Sequence, residues 1–338
     1  MHQGHHQNRG GDLSCIEIAA AAFILPMHRL AIQETVIFAS CQGGASALLS
    51  ILTRLEVTVR QSCLEDYRDL PMSFETGVMQ RLSEVGIQSA WDKVLELQTL
   101  LLGPSELTWL RHHHAFDHEV LEVGSGKGHY GTFLANANQQ QLFWGLEASK
   151  AFFDNRFQLP RNYRIQRCRV GDDPLPDGLC SRCKTCVVRF VLQHSPKPLE
   201  LLSSLYDALP KGARLFIIEE DDRLFMSHGT FPEWDKAVQA WKRACSLTGT
   251  NSQVGLALPF IVRGAGFIVD DFSINLRHSL MAPNDFFSLF SLVLYTFKET
   301  LPGLMSDDDF AAVRGALNEE KPKGFIATYP QVLLVARK

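Results

Sequence analysis

Several features that mark other protein classes are missing from this chain. No stretch reaches about 18 apolar residues, so no membrane-spanning helix is expected. The 33 Lys and Arg residues do not exceed the 37 Asp and Glu residues, and the net charge is −4. Because nucleic-acid binders usually carry a basic excess, no nucleic-acid partner is expected. The apolar run 15–25 follows a single Arg9 and contains Glu17, which disfavours a secretory leader and favours a cytoplasmic protein.

A second pair of metal-ligating residues is missing as well. Cys180, Cys183 and Cys186 have a spacing typical of zinc ligands, but a structural zinc site needs four ligands, usually from two such pairs. The sequence offers no second pair, so we interpret the segment as a loop and expect no metal. Cys168, on the strand predicted before it, keeps a metal site open as an alternative.

What the chain does contain is a glycine-rich junction at residues 119–128. An apolar run of strand length contains Glu122 and is followed by Gly124, Gly126 and Gly128, and a helix is predicted over 130–137. Glycines between a strand and a helix let a ligand approach bare backbone N–H groups. A dinucleotide loop needs the spacing G-x-G-x-x-G. Here the third glycine comes one residue early and an acid precedes the first, which favours a ligand without phosphate groups.

This junction resembles motif I, E/D-x-G-x-G-x-G, of the class I S-adenosylmethionine (SAM) dependent methyltransferases. The resemblance implies an α/β fold with a Rossmann-like, seven-stranded, mostly parallel sheet sandwiched by helices, and an N-terminal helical lid region. It also implies SAM as co-substrate. The remaining segments of the chain can be compared with the same family.

Three further predicted strands follow the family order. A second predicted strand (142–149) ends in Glu147, about twenty residues after the loop, where an acid can bind ribose hydroxyls; a helix-capping role is the alternative. The third predicted strand, Tyr163–Val170, precedes Gly-Asp-Asp-Pro-Leu-Pro-Asp-Gly, and the resemblance gives Asp172 the adenine contact, with Asp173 as alternative. The fourth predicted strand covers 187–194.

The later segments complete the resemblance, which covers roughly residues 100–338. A helix over 199–209 leads to a fifth strand at 214–220, and residues 329–338 fit a closing strand seven. The segments look most like those of ubiquinone- and menaquinone-biosynthesis-type and related small-molecule methyltransferases. The cofactor-binding residues that the resemblance implies are Glu122, Gly124, Ser125, Gly126, Gly128, Glu147, Ala148, Asp172, Asp173, Arg189 and Gln193.

His194 is the candidate catalytic residue, because it ends the fourth strand and an imidazole is suited to general base catalysis. A structural or SAM-contacting role is the alternative. The acids at 219–222 could bind Mg²⁺ as in catechol-type methyltransferases, but those enzymes also need acids after strand four, where this chain has Gln193-His194-Ser195. Metal-independent transfer is therefore expected.

The domain organisation is predicted in three parts. Residues 1–27 form a disordered or irregular tail, 28–115 a helical lid and substrate region, and 116–338 the methyltransferase domain. Within the second part, helices are predicted over 45–66, 74–84 and 89–103, with Gly103 as a stop, followed by a short helix to Leu110. A helical insertion is predicted near 221–250, and its first loop, 221–226, is predicted as a substrate wall.

The function predicted from these patterns is SAM-dependent methyl transfer to a small-molecule acceptor by in-line displacement, in a monomer or homodimer. Two alternatives remain: a catalytically silent SAM-fold scaffold protein, and a protein or peptide methyltransferase. The intact acids and glycines disfavour the first, and the helical N-terminal third, which suggests a lidded pocket, disfavours the second.

Overall fold

The core of the molecule is a twisted sheet whose first five strands are parallel. The computed structural model describes residues 86, 88–154, 158–176, 178–301, 303–319 and 321–338. The strands are β1 Val120–Val123, β2 Phe143–Glu147, β3 Tyr163–Arg167, β4 Thr185–Arg189, β5 Arg214–Glu219, β6 Ser227–His228, β7 Ile268–His278 and β8 Ile326–Arg337. Their order is β3-β2-β1-β4-β5-β8-β6, and β7 also pairs with β8. All pairs among β1–β5 are parallel, and β8 runs antiparallel to β5, β6 and β7. The predicted mostly parallel sheet is therefore confirmed, with the two-residue β6 added.

Helices cover the sheet and supply the connections between parallel strands. They are α1 Gln88–His112, α2 His129–Ala137, α3 Lys150–Asp154, α4 Pro198–Ala208, α5 Pro232–Thr248, α6 Leu258–Gly264, α7 Pro283–Thr300 and α8 Asp307–Asn318. The central strands are continuous apolar runs because both of their faces are covered. The carboxyl ends of β1, β2, β4 and β5 meet at one edge, which is where such sheets bind ligands.

The predicted break in the first helix is wrong. α1 continues through Gly103 and Pro104 to His112. A Cβ atom on Gly103 would lie only 3.0 Å from the ring of Phe133 in α2, so this glycine permits close helix packing and does not end the helix. The reason is a contact between residues far apart in sequence, which the local glycine-stop rule does not include.

The fourth strand is shorter than predicted, and its last three predicted residues form a turn of 3-10 helix, Leu192–His194. Phe190 has a left-handed backbone (φ 52°), which ends the extended run. The backbone N–H groups of Val191 and Leu192 donate to the buried carboxylate of Glu219, at 2.8 and 2.6 Å. A carboxylate on β5 therefore fixes the turn that follows β4.

Other predictions have mixed outcomes. The helical insertion is present as α5, while the predicted third strand ends at Arg167 instead of Val170. The helices α7 and α8 were not predicted. The tail 1–27 and the predicted helices at 45–66 and 74–84 lie outside the described residues. Among the helices that the structure describes, none has the length and apolarity needed to cross a membrane.

Candidate functional site

The glycine loop between β1 and α2 is fixed in a conformation that needs glycine. Gly124, Gly126 and Gly128 all have positive φ angles, of 72°, 57° and 95°. A Cβ on Gly124 would lie 2.3 Å from Cγ2 of Val191, so this position also lacks room for a side chain. Among the residues that the structure describes, a Cβ on Gly126 would meet Leu95 Cδ1 at 3.8 Å, which is an ordinary van der Waals contact. A side chain could therefore be accommodated at Gly126 with less conflict than at Gly124, and Gly126 lines the cavity described below.

Glu147, the last residue of β2, holds the loop through its carboxylate. Its Oε2 accepts the N–H of Gly126 at 2.6 Å, and its Oε1 accepts the N–H of Ser149 at 2.7 Å. The side chain is buried but lines the cavity described below. A carboxylate has about four acceptor positions, so a side chain that orders a loop in this way can also accept hydrogen bonds from ligand hydroxyl groups.

Glu122 is held beneath the same loop in a buried polar contact. Its Oε2 accepts the hydroxyl of Tyr163, and burial raises the pKa of Glu122 to about 7. A Cβ on Gly131 would collide with both of these side chains, and a Cβ on Gly145 would collide with the Tyr163 hydroxyl. Two glycines outside the predicted motif are therefore needed to give this pair its space.

A cavity of about 260 Å³ opens at the carboxyl ends of the strands and brings most of the predicted site residues together. The predicted residues that line it are Glu122, Gly124, Ser125, Gly126, Glu147, Ala148, Asp172, Arg189, Gln193 and His194. Gly128 and Asp173 do not line it. Gly128 precedes α2 and packs against Leu159 and Ile165, and Asp173 accepts the N–H of Arg169 at 2.7 Å. Of the two adjacent aspartates, Asp172 is the one at the cavity.

Arg189 connects the sheet to α1 within the cavity wall. Its Nε donates to Glu106 Oε2 at 2.8 Å, and Glu106 Oε1 accepts from Gln331 on β8 at 2.5 Å. The guanidinium also lies 4.3 Å from the ring centre of Tyr130. Sequence reasoning missed Glu106 and Gln331, since nothing local indicates that a helical glutamate is fully buried.

His194 lies at the cavity with a weak polar contact, 3.4 Å from its Nδ1 to the Thr250 hydroxyl. Burial lowers the pKa of His194 to about 3. The imidazole is therefore neutral at physiological pH, but a group with so low a pKa gains little from accepting a proton.

The acids after β5 do not converge as a metal site would require. Glu219 caps the 190–194 turn, Asp221 pairs with Arg223 at 2.6 Å, and Asp222 accepts from the Ser252 hydroxyl at 2.8 Å. Only Glu220 lines the cavity. Across the described part of the chain, no three His, Cys, Asp or Glu side chains are grouped for a metal ion.

The cysteines at 168–186 are free thiols packed in the interior. Burial raises the pKa of Cys168 to about 11 and that of Cys183 to about 12, so both stay protonated. Among the described residues these thiols form no disulfide and belong to no group of three or more potential metal ligands. All four belong to the buried interior.

The apolar wall of the cavity comes from elements far apart in the chain. Phe225 is the one residue of the predicted 221–226 wall that lines it. The larger part comes from α7, through Leu289, Phe290, Val293 and Phe297, and from Trp91, Val94 and Leu95 of α1. The helical spacing of Phe286, Phe290, Val293 and Phe297 was the sequence signal that could have revealed α7.

No protein-family model matches the chain, and no curated protein matches it. Among solved structures, the chain is similar to a Bacillus halodurans protein to which methyltransferase activity is attributed, with 16% identity over 69% of this chain and 99% of that one and a TM-score of 0.44. It is also similar to phosphoethanolamine N-methyltransferase 2 of Haemonchus contortus in complex with phosphomonomethylethanolamine and S-adenosylhomocysteine (14% identity, 79% of this chain, 60% of that one, TM-score 0.45).

A third similar structure is human N-acetylserotonin methyltransferase in complex with SAM, with 16% identity over 77% of this chain and 56% of that one and a TM-score of 0.43. At such identities the likenesses concern the general fold alone. The strand order and register described above define that fold directly.

Proposed function

We propose that this protein is a SAM-dependent methyltransferase that moves a methyl group onto a small-molecule acceptor by in-line displacement. The observation that carries the proposal is the junction of Gly126 and Glu147: a glycine backbone that lines the cavity and donates its N–H to a buried carboxylate that lines the same cavity. A positively charged ligand with hydroxyl groups suits such a junction better than a phosphate does.

The residues at this end of the cavity fit the chemical groups of SAM. Glu147 can accept bonds from ribose hydroxyls, and Asp172 lies at the cavity where an adenine amino group could donate to it. The Gln193 Oε1 atom is buried, lies in a side chain that lines the cavity, and has no hydrogen-bond partner among the described residues. A ligand N–H group would satisfy this acceptor, whose desolvation is otherwise uncompensated.

The protein's part in the reaction is alignment. When bound, SAM supplies a methyl group on a cationic sulfur that departs as a neutral thioether, so no residue has to protonate it. Holding two reactants in line can supply several kcal/mol of the barrier, on the order of 7–11 in the best cases. The aromatic wall of α1 and α7 would position the acceptor and exclude water from it.

The apolar cavity wall formed by α1 and α7 supports a small molecule as the acceptor in place of a protein. The resemblance of the chain's segments to quinone-biosynthesis enzymes makes apolar ring compounds the first acceptors to screen. Within the same proposal we expect a cytoplasmic protein that acts as a monomer or homodimer without a metal ion.

The test is calorimetric titration of the purified protein with SAM, S-adenosylhomocysteine and NAD. We expect the first two to bind and NAD not to bind. Binding of NAD alone would overturn the proposal. SAM binding without methyl transfer to any small molecule, peptide or protein would favour a silent scaffold, and transfer only to proteins would favour a protein methyltransferase.

A further inference from the structure

Besides Glu122 and Glu147, the cavity is lined by a third buried carboxylate, that of Glu220, which the proposed SAM site does not use. Glu220 directly follows β5 and is only 1% exposed, yet it lines the cavity. Its Oε2 accepts the hydroxyl of Tyr329 at 2.5 Å. Its Oε1 is buried and has no hydrogen-bond partner among the described residues. One oxygen is therefore fixed by the protein, while the other lacks a donor.

The surroundings of Glu220 are aromatic. Phe225, Phe290 and Tyr329 pack edge to face, with ring centres 5.7 to 6.0 Å apart, and all three line the same cavity. A buried carboxyl oxygen without a donor in apolar surroundings costs free energy. A hydroxyl on a ring-shaped ligand would fit among these side chains and donate to that oxygen.

The charges near Glu220 come from several elements. The neighbouring carboxylates of Asp221 and Asp222 raise the pKa of Glu220. Glu220 in turn adds to the rise that burial causes in the pKa of the Cys245 thiol on α5. The Tyr329 hydroxyl on β8 donates a hydrogen bond to Glu220 and accepts one from the Gln98 amide of α1. The positive charge of Arg189 on β4 opposes the rise that burial causes in the pKa of Tyr329. Burial is the main reason that the pKa of Glu220 is raised to about 8. The hydrogen bond from Tyr329 opposes this shift, and the two neighbouring acids add to it.

We infer that Glu220 is the general base of the proposed methyl transfer, and that the acceptor is an aromatic molecule whose nucleophile is a hydroxyl group. The inference rests on the proposed function. In the step, the hydroxyl oxygen forms a bond to the methyl carbon as the carbon–sulfur bond breaks. The sulfur keeps that electron pair, and the hydroxyl proton passes to Glu220 Oε1 and from there to solvent.

A carboxylate base matters most for a hydroxyl nucleophile, since a neutral amine attacks through its own lone pair. Glu220 is also better matched to the task than His194, whose pKa burial lowers to about 3. Tyr329 is a positioning residue, because it orients the carboxylate and makes it easier to ionise.

The experiment compares naphthol and naphthalenethiol of the same substitution pattern as acceptors, using tritiated-methyl SAM. The two differ in the nucleophilic atom, and an aromatic thiol ionises near neutral pH without a base. With Glu220→Gln, we expect naphthol methylation to fall by about 10²–10⁴-fold. Naphthalenethiol methylation and SAM affinity should stay within a few-fold of wild type. Equal losses for both acceptors, or no loss for naphthol, would overturn the inference.

Two further readouts separate the inference from the proposed function. The kcat/KM for naphthol should rise with pH through a group titrating near the Glu220 pKa of about 8, and Tyr329→Phe should move that rise to higher pH. A profile unchanged by Tyr329→Phe would contradict the positioning role. If SAM binds and neither acceptor is methylated, the inferred acceptor class is wrong. If SAM does not bind, the proposed function is wrong and this inference is wrong with it.

Discussion

At the scale of single residues, Glu147 shows how one side chain can order a loop and still have capacity for a ligand. Its two oxygens accept the backbone N–H groups of Gly126 and Ser149. The sequence position of Glu147, after a strand and about twenty residues past the glycines, allowed its placement to be predicted. Its contact with Gly126 could not be predicted, because that bond joins the end of β2 to the glycine loop, 21 residues away in sequence.

Glu147→Ala should weaken SAM binding by about 1–3 kcal/mol, the usual loss when charge-assisted hydrogen bonds are removed. Calorimetric titration measures this effect, and Asp235→Ala on the exposed part of α5 serves as the control. An unchanged SAM affinity would mean that Glu147 only orders the loop and caps the helix that follows it.

Gly126→Val should abolish SAM binding, because the new side chain would occupy the space that the ligand needs and because φ is 57° at this position. Gly212→Val is the matched control: φ is 78° there, nothing lies within 4 Å of an added Cβ, and the residue is not part of the cavity lining. Both variants place a valine at a positive φ angle, but only the first places it in the cavity, so only the first should lose affinity. Micromolar SAM affinity in Gly126→Val would contradict the motif assignment.

At the scale of secondary structure, the features predicted correctly are those that depend on neighbouring residues. The apolar runs of β1, β2, β4 and β5 and the glycine junction are local patterns, and the sequence therefore indicated them. The errors at Gly103 and at the end of β4 have a common cause. In each case the outcome depends on a distant partner, Phe133 in the first and Glu219 in the second.

The ion pair of Glu106 and Arg189 fastens α1 to the sheet. Both side chains are nearly inaccessible, with exposures of 0% and 7%. Glu106→Gln should therefore destabilise the fold by about 3–5 kcal/mol, because it leaves a buried guanidinium without its counter-charge. Chemical denaturation measures the change in the free energy of unfolding.

The control for that variant is Glu96→Gln on the same helix, which removes the exposed pair with Lys93 and should cost at most about 1 kcal/mol. The double variant Glu106→Gln, Arg189→Met should recover part of the loss, since no unpaired charge then remains. Equal stability of Glu106→Gln and wild type would show that the buried pair does not hold α1.

At the scale of the whole molecule, the buried acids should control how stability depends on pH. Burial raises the pKa of Glu122 to about 7 and those of Glu219 and Glu220 to about 8, from an ordinary value of 4.5. Between about pH 4.5 and 8 the folded protein therefore binds more protons than the unfolded chain. Its stability is greatest below this window and falls as the pH rises through it.

Glu219→Gln should reduce this dependence, because glutamine resembles the protonated acid and can still accept the N–H groups of Val191 and Leu192. Thermal unfolding measured from about pH 5 to pH 8 should give similar Tm values for variant and wild type at the acid end. At the alkaline end the variant should have the higher Tm, by on the order of 2–4 °C for each kcal/mol. Parallel curves for the two proteins would contradict the raised pKa of Glu219.

The continuity of α1 also bears on how a ligand reaches the cavity. From Gln88 to Glu106 the helix runs for about 27 Å as a single rod, and its first half lines the cavity. A tilt of about 10° around Glu106 would move the Gln88 end by about 5 Å, while the Arg189 contact near the centre of rotation would hardly change. The cavity-lining half of α1 is also tied to the glycine loop through the Lys127–Asp92 ion pair and to β8 through the Gln98–Tyr329 hydrogen bond, so a rotation that widened the cavity would have to break both contacts.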